Sequence, residues 1–259
     1  MANTQSALIR KTEKLLVEVG LITRFIGRYF REVFTGPFEL RETIRQCYEV
    51  GYKALPLISV TSLIVGLVFT RQSRPSLEEF GAASWLPALI SIAIVRALGP
   101  LITAIICAGK VGSQIGAELS SMKVTEQIDA MEVSGSKPFR YLVVTRVTAM
   151  TLMLPVLVAY ADTVALFGGY LSVSGTELTS IQLYFNQVFE AVSFLDVVSS
   201  FIKSLFFGMC IGLVASYKGY NSTKGTEGVG KAANTSVVVS MFLIFILELF
   251  ALQITNLFR

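Results

Sequence analysis

Long apolar blocks separated by short polar stretches form the dominant pattern of this chain. Five blocks have about the length that an α-helix needs to cross a bilayer core, roughly 20 residues. We expect transmembrane helices at about Leu55 to Thr70, Trp85 to Ala108, Tyr141 to Val173, Val197 to Tyr217 and Thr235 to Leu257. The first block is short, which predicts a tilted helix or a locally thinned bilayer.

Four polar stretches lie between these blocks. They cover residues 71–84, 109–138, 174–195 and 218–233. The second stretch is too charged to cross a membrane, the third is a predicted loop without basic residues, and the fourth is a predicted glycine-rich loop. The sequence therefore indicates an all-α integral membrane protein with about five spans.

The first 49 residues have a different pattern, typical of a helix that lies along a membrane surface. Apolar residues recur at intervals of three or four, at Leu15, Val19, Ile22, Ile26, Phe30 and Val33. Arginines fall between them, and Gly36-Pro37 ends the pattern. We interpret residues 1–49 as an amphipathic interfacial region, the alternative being a surface helix of a soluble protein. Residues 50–259 then form the membrane domain.

Composition supports membrane insertion and argues against an enzyme. The chain is 53% hydrophobic and 15% charged, whereas soluble domains carry about 25% charge. It has no histidine, the commonest general base and metal ligand. Its three cysteines are far apart and show no zinc or redox spacing. We expect no catalytic residue, metal or cofactor in this chain.

Basic residues predict the orientation in the membrane. Residues 1–53 carry nine of the 22 lysines and arginines. Beside apolar blocks, such a basic segment is more typical of a cytoplasmic membrane surface than of nucleic-acid binding. More basic residues occur between the second and third blocks and between the fourth and fifth. We therefore expect a cytoplasmic N-terminus and a C-terminus on the opposite side.

Four charged residues lie inside apolar blocks: Arg96, Asp162, Lys203 and Glu248. An arginine at the centre of a span costs about 2.5–3.5 kcal/mol on insertion scales, so Arg96 should face protein or water. Pro100 has no N–H for the Arg96 carbonyl and should kink the helix. Arg96 either pairs with an acid of another span or handles an anionic headgroup. Asp162 and Glu248 are candidate partners of Arg96 or Lys203, unless Lys203 reaches the interface.

The polar segment between the second and third blocks has the composition of a helix. Apolar residues form an imperfect stripe among Glu118, Lys123, Glu126, Asp129 and Glu132. A short amphipathic helix here is suited to docking a soluble partner. A solvated loop is the alternative that the residues alone leave open.

Several motifs resemble those of the MlaE/YrbE family of permeases. They include Arg96-Ala-Leu-Gly-Pro100, Ala108-Gly-Lys-Val-Gly-Ser113, Ala117-Glu-Leu-Ser-Ser-Met-Lys-Val-Thr-Glu-Gln-Ile-Asp-Ala130, Lys137-Pro-Phe-Arg-Tyr-Leu-Val-Val-Thr-Arg146 and Gly225-Thr-Glu-Gly-Val-Gly-Lys231. The similarity covers about residues 50–255 in consistent order, and the N-terminal helix matches in character only.

The resemblance implies a homodimeric permease of the bacterial inner membrane that moves phospholipid or a related lipid. A cytoplasmic ABC ATPase would bind the ATP, and an MCE-domain protein would be the partner across the membrane. The resemblance also implies a coupling helix at about 112–131 that meets the ATPase. Its candidate residues are Gly112, Glu118, Lys123, Glu126, Gln127 and Asp129. The substrate-binding candidates are the four intramembrane charges.

The chain departs from the family pattern at four positions. Ala97 stands where the family usually has glutamate, Lys110 where it has arginine, Thr145 where it has proline, and Glu248 where it commonly has aspartate. These departures leave the headgroup preference open. The alternative functions are a membrane-embedded lipid-modifying enzyme, which would need a nucleophile or paired acids, and a secondary transporter, which usually has internal repeats.

Overall fold

The computed structural model describes residues 2–35, 39–174, 180–223 and 225–257. These residues form eleven α-helices and no strand. The helices are α1 (Ala2–Thr35), α2 (Leu40–Gly51), α3 (Leu55–Glu79), α4 (Leu86–Ala93), α5 (Gly99–Cys107), α6 (Ser113–Val124), α7 (Gln127–Val133), α8 (Thr145–Ser174), α9 (Ile181–Ala191), α10 (Phe194–Tyr220) and α11 (Thr226–Leu257). Short 3-10 or π-helical turns join α2 to α3, α4 to α5 and α5 to α6.

Five helical stretches in the described ranges are long and apolar enough to cross a membrane. They cover Leu40–Glu79, Ala83–Val124, Phe139–Ser174, Phe194–Tyr220 and Thr226–Thr255. A helix pairs its own backbone groups, which hydrocarbon requires because it offers no hydrogen-bonding partners. The prediction of an all-α membrane protein with five spans is confirmed.

Helix α8, in the third span, is the centre of the bundle. It packs along α3 and α10 and also contacts α2 and α5. A larger share of its apolar stretch is buried than in any other of the five spans, whereas α11 has the smallest share buried. The core around α8 includes Met150, Leu154, Leu157, Ile58, Phe207 and Ile211. The peripheral spans keep the apolar surface that a bilayer or another subunit covers.

The first span is longer than the sequence pattern indicates. Helix α3 continues to Glu79, so most of the expected loop 71–84 is helical. An ion pair one turn apart supports this extension, with Arg74 Nε 2.5 Å from Glu78 Oε1. At its other end, a 3-10 turn links α3 to α2, so the helical path starts at Leu40. The helical path thus extends beyond the apolar block at both ends.

The charged stretch after the second span is not one separate helix. Helix α6 continues the second span and packs on α10 and α11, and α7 follows a break at Glu126, whose φ is 59°. Two glycines allow the close packing of α6. A Cβ on Gly116 would lie 2.6 Å from Ser236 Oγ, and one on Gly219 would lie 2.8 Å from the Gly116 carbonyl oxygen. The α6 part of the predicted coupling segment is thus packed closely on α10 and α11.

The expected loop 174–195 contains a helix, α9. Ser180 caps its start, because its Oγ accepts a hydrogen bond of 3.2 Å from the Leu183 N–H. Tyr184 anchors α9: its ring is fully buried and its hydroxyl donates to the Leu166 carbonyl over 3.3 Å. The loop prediction is wrong here because a buried aromatic residue holds a short helix against the third span.

The glycine-rich stretch 218–233 is also mostly helical. Helix α10 ends at Tyr220 and α11 begins at Thr226, so the connection is shorter than expected. Gly225 has a φ of +107° and makes the turn that only glycine adopts readily. Gly228 and Gly230 lie inside α11, where membrane helices tolerate glycine.

Helix α1 packs on the bundle through a face centred on Phe25 and Tyr29, both buried. The Phe25 ring meets the Phe139 ring edge to face, with centroids 5.0 Å apart. Val19 and Phe30, on the apolar stripe that the sequence predicts, are 58% and 42% exposed. The contact with the bundle is centred on Phe25 and Tyr29 instead, and the interfacial position of the stripe stays a prediction.

Candidate functional site

The second span is interrupted beside Arg96. Ile94–Leu98 form a π-helical turn, and Pro100 follows at the start of α5. Because proline has no N–H, the Arg96 carbonyl receives no hydrogen bond from Pro100. Lys203 of α10 donates instead, with its Nζ 2.6 Å from the Arg96 carbonyl oxygen. This bond ties the interrupted helix to the fourth span.

Lys203 also forms a buried ion pair with Glu248 of α11. Its Nζ lies 2.9 Å from Oε1 and 3.1 Å from Oε2 of the carboxylate. The two side chains are 5% and 8% exposed. The three N–H groups of the ammonium thus have three acceptors on two other helices. The structure pairs Glu248 with Lys203, and Lys203 does not reach toward the interface.

The Arg96 side chain lies beside Asp196, an acid that the sequence reasoning missed. Arg96 Nε is 4.0 Å from Asp196 Oδ1, and the Asp196 side chain is 3% exposed. Asp196 belongs to a capping box with Ser193 at the start of α10. The sequence carried a signal, since Ser193 precedes the acid by three positions and an apolar run follows. Neither Asp162 nor Glu248 is the ion-pair partner within the described residues.

Asp162 of α8 packs against the interrupted second span. The residue is 8% exposed, and its Oδ1 is buried without a hydrogen-bond partner in the described part of the chain. A Cβ built on Gly99 would lie 1.7 Å from this oxygen, so the carboxyl group occupies the space that glycine leaves. Asp162 therefore contacts the helix break, and within the described residues its Oδ1 forms no hydrogen bond with Lys203.

The four intramembrane candidates lie at similar depths. These candidates are Arg96, Asp162, Lys203 and Glu248. Each lies nine to thirteen residues from one end of its helical stretch. In all four cases this is the end away from the loop between the second and third spans. At 1.5 Å per residue this is about 14–20 Å along each helix. Lys203, Glu248 and the Arg96 backbone form one group, which we call the intramembrane cluster. The Arg96 side chain and Asp162 flank it.

An apolar groove of about 400 Å³ opens between α10 and α11 beside this cluster. Lys203 is the charged residue among its lining side chains. The apolar part of the lining includes Leu195, Ile202, Phe206, Leu247 and Phe250. An apolar groove next to an ammonium group has the polarity of an amphiphile's binding site.

Two ion pairs involve predicted coupling residues, and one of them reaches the bundle. Glu118 Oε2 lies 3.3 Å from Arg146 Nη2, which joins α6 to α8. Lys123 Nζ lies 2.6 Å from Asp129 Oδ1, across the break between α6 and α7. Three of these side chains are partly exposed, so the pairs contribute geometry more than stability. Glu118, Lys123 and Asp129 are thus engaged within the chain.

The remaining coupling candidates divide between the interior and the surface. Gly112 is buried in the π-helical turn before α6. Glu126 and Gln127 are exposed at the start of α7, and Val133 at its end is 91% exposed. An exposed apolar side chain next to charged groups is a common feature of a docking surface. We call Glu126, Gln127 and Val133 the α7 surface.

The chemistry of the intramembrane cluster suits binding a polar group more than covalent catalysis. It combines an ammonium and a carboxylate, flanked by a guanidinium and a second carboxyl. Within the ranges that the structure describes, no group of three His, Cys, Asp or Glu is arranged to hold a metal ion. The cysteines Cys47, Cys107 and Cys210 are free thiols.

Comparison with protein families decides what kind of membrane protein this is. Residues 43–254 match the model of the family described as Permease MlaE. The chain belongs to the MlaE permease family. This MlaE-family chain is therefore a multi-pass transport subunit, and the resemblance found in its motifs is confirmed.

Several named relatives are similar in sequence over most of the chain. A probable ABC transporter permease protein of Rickettsia typhi is 32% identical over 246 residues, 95% of each chain. A probable ABC transporter permease protein of Synechocystis is 35% identical over 224 residues, 86% of this chain and 85% of the relative. The chloroplastic protein TRIGALACTOSYLDIACYLGLYCEROL 1 of Arabidopsis thaliana is 33% identical over 222 residues, 86% of this chain and 63% of the plant protein.

The structure gives contacts for the positions where this MlaE-family chain departs from the usual motifs. Lys110 donates a hydrogen bond to the Lys53 carbonyl, so it links the end of the second span to the start of the first. Glu248 reaches Lys203 with both carboxylate oxygens. With alanine at position 97, the acid beside Arg96 comes from α10 as Asp196.

Proposed function

We propose that this permease moves a phospholipid or a related lipid as the membrane subunit of an ABC transporter. A separate cytoplasmic ATPase binds and hydrolyses ATP, and an MCE-domain protein exchanges the lipid across the membrane. The chain acts as a homodimer in the bacterial inner membrane, with its N-terminus in the cytoplasm and its C-terminus outside. The observation that carries the proposal is the buried intramembrane cluster beside an apolar groove.

The groove and the cluster match the two parts of a lipid. Side chains such as Phe206 and Phe250 provide an apolar wall for an acyl chain. Arg96 is 17% exposed on its side chain, and a guanidinium binds phosphate with paired hydrogen bonds. Asp162 is a candidate acceptor for an ammonium or hydroxyl of the headgroup. The name of the plant relative, which refers to a galactolipid, supports a lipid substrate.

The exposed face of α11 supports a dimer. Of the five spans, α11 has the smallest share of its apolar window buried. Phe242, Leu249 and Phe250 are each at least 60% exposed on this helix. A second copy of the chain that covers α11 would enclose the groove and shield the intramembrane cluster from the surrounding lipid.

The α7 surface is the proposed docking site of the ATPase. Helix α6 is continuous with the span that carries Arg96 and packs tightly on α10 and α11. A displacement of α7 would therefore be transmitted through α6 to all three helices of the intramembrane cluster. Charge reversal by Glu126→Lys should weaken co-purification of the ATPase, while Glu79→Lys, at the opposite end of the helices, should not. Equal ATPase recovery with both variants would contradict docking at α7.

Two variants of Arg96 test the lipid site. Lysine keeps the charge but lacks the planar fork of the guanidinium. We expect Arg96→Lys to fold and to transport less lipid, and Arg96→Ala to transport still less, with less co-purified lipid by mass spectrometry. Arg24→Gln, at an exposed position of α1, is the control outside the span. If Arg96→Ala loses stability that Asp196→Asn restores, while bound lipid is unchanged, Arg96 is a structural partner of Asp196.

A further inference from the structure

A second pocket lies far from the intramembrane cluster, at the end of the third span where the chain enters it. Its volume is about 630 Å³. Its lining consists of Glu39, Met131, Ser136, Lys137, Arg140 and Tyr141. Two of these residues are basic, and they stand on either side of the helix start at Phe139. We call this site the Arg140 pocket.

Arg140 has unused hydrogen-bonding capacity although it is buried. The residue is 8% exposed, and its Nε has no hydrogen-bond partner among the described residues. The nearest acid is Glu32 on α1, whose Oε2 lies 3.9 Å from Nε, beyond hydrogen-bond distance. Burying a guanidinium whose N–H groups lack acceptors costs free energy, unless a further acceptor binds these groups. Because Arg140 lines the pocket, that acceptor can come from a ligand there.

The start of the third span adds a second attraction for anions. The helical stretch Phe139–Ser174 begins at this pocket, so its first N–H groups point toward the pocket end. The helix dipole places partial positive charge at the same end. Lys137 is exposed just before the helix and adds a full positive charge. Guanidinium, ammonium and helix start together match the chemistry of a phosphate group.

The position of α1 indicates where such a phosphate comes from. The Arg28 guanidinium lies 4.2 Å from the centre of the Phe139 ring, and Phe25 packs on the same ring. An amphipathic helix of this kind lies at the level of the lipid headgroups. Glu39 on the pocket rim can accept a hydrogen bond from a headgroup hydroxyl or ammonium. A lipid phosphodiester therefore fits better than a free phosphate.

We propose that the Arg140 pocket binds the phosphate of a glycerophospholipid of the adjacent leaflet, separately from any transported lipid. Lys137 and Arg140 hold the phosphate, and Glu39 contacts the polar headgroup. Bound lipid would tie α1, α7 and the third span together at the membrane surface. Binding here does not depend on transport, so it can be present even if the proposed transport function is wrong.

Native mass spectrometry of the full chain in detergent, titrated with short-chain phosphatidylglycerol, tests the proposal. We expect Lys137→Gln and Arg140→Gln to weaken binding of one lipid per chain by about tenfold, the scale of one charged hydrogen bond. Arg31→Gln, an exposed basic position on α1, should bind as the wild type does. Inorganic phosphate at the same concentration should not displace the lipid.

Each other outcome would overturn the proposal. If both pocket variants bind lipid as Arg31→Gln does, the pocket is not a headgroup site. If Arg140→Gln loses lipid only together with its melting transition while Lys137→Gln binds normally, Arg140 is structural. If inorganic phosphate displaces the lipid, the occupant is a free phosphate instead of a membrane lipid.

Discussion

Replacing Lys203 by methionine would remove an ammonium group that joins three membrane helices. Methionine keeps the length and the apolar stem of lysine, so the packing of α10 changes little. The substitution leaves the Glu248 carboxylate buried without its cation, and the Arg96 carbonyl loses its 2.6 Å hydrogen bond. The fold should survive in a weakened form.

The size of the effect follows from these two losses. Removing one member of a buried ion pair costs about 3–5 kcal/mol, because the other charge stays buried. The lost hydrogen bond to the carbonyl adds about 1 kcal/mol. In the double variant Lys203→Met/Glu248→Leu no charge of this pair remains unpaired, so only the loss at the Arg96 carbonyl should persist, about 1 kcal/mol. The double variant should therefore be more stable than Lys203→Met.

Thermal and denaturant unfolding of the purified chain in detergent would measure these differences. Lys218→Met is the matched control, since Lys218 forms a partly exposed pair with Glu18 and should cost less than about 1 kcal/mol. If Lys203→Met is as stable as this control, the buried pair does not hold the helices together. If the double variant is no more stable than Lys203→Met, the unpaired Glu248 carboxylate is not the cause of the destabilisation.

Two further predictions concern topology and packing. Cysteines placed at Lys123 and at Glu78 should react with an impermeant reagent from opposite sides of the membrane, and same-side labelling would contradict the five-span topology. Gly99→Ala should destabilise the protein by about 1–3 kcal/mol, because its Cβ would lie 1.7 Å from Asp162 Oδ1. Gly27→Ala, where the new Cβ meets nothing within 4 Å, should be neutral or stabilising in the same unfolding measurement.

The number of spans could be predicted from the sequence, but their ends could not. Apolar blocks identify spans because hydrocarbon excludes charge over about 20 residues. Helices continue past the hydrocarbon wherever local pairs or packing support them. Helix α3 gains the Arg74–Glu78 pair, and α6 packs on α10 and α11 through Gly116. Tyr184 holds α9 in a stretch that looks like a loop, since only the fold shows that its ring is buried.

Asp162, Lys203 and Glu248 are buried and Arg96 is partly exposed, but the pairing of these charges depends on helix register. The sequence did not show that Lys203 pairs with Glu248, because 45 positions separate them and they lie on different helices. Pro100 predicts that the Arg96 carbonyl lacks its usual backbone donor. No nearby residue in the sequence indicates that Lys203 would donate to this carbonyl instead. The spacing of Ser193 and Asp196 indicates a helix cap, but the sequence does not show that Asp196 lies close to Arg96. Lys224, in the stretch 218–233 that we expect on the cytoplasmic side, and Glu177, in the stretch 174–195 that we expect on the opposite side, lie outside the described residues.

Lipid movement by the reconstituted protein is the most direct test of the proposed lipid transport. The full chain, with its ATPase, would be placed in proteoliposomes that contain a labelled phospholipid, and a soluble lipid acceptor would be supplied outside. We expect lipid transfer that requires ATP and falls in Arg96→Ala. ATP hydrolysis by the assembled complex with no ATP-dependent lipid transfer, while another solute crosses, would contradict it.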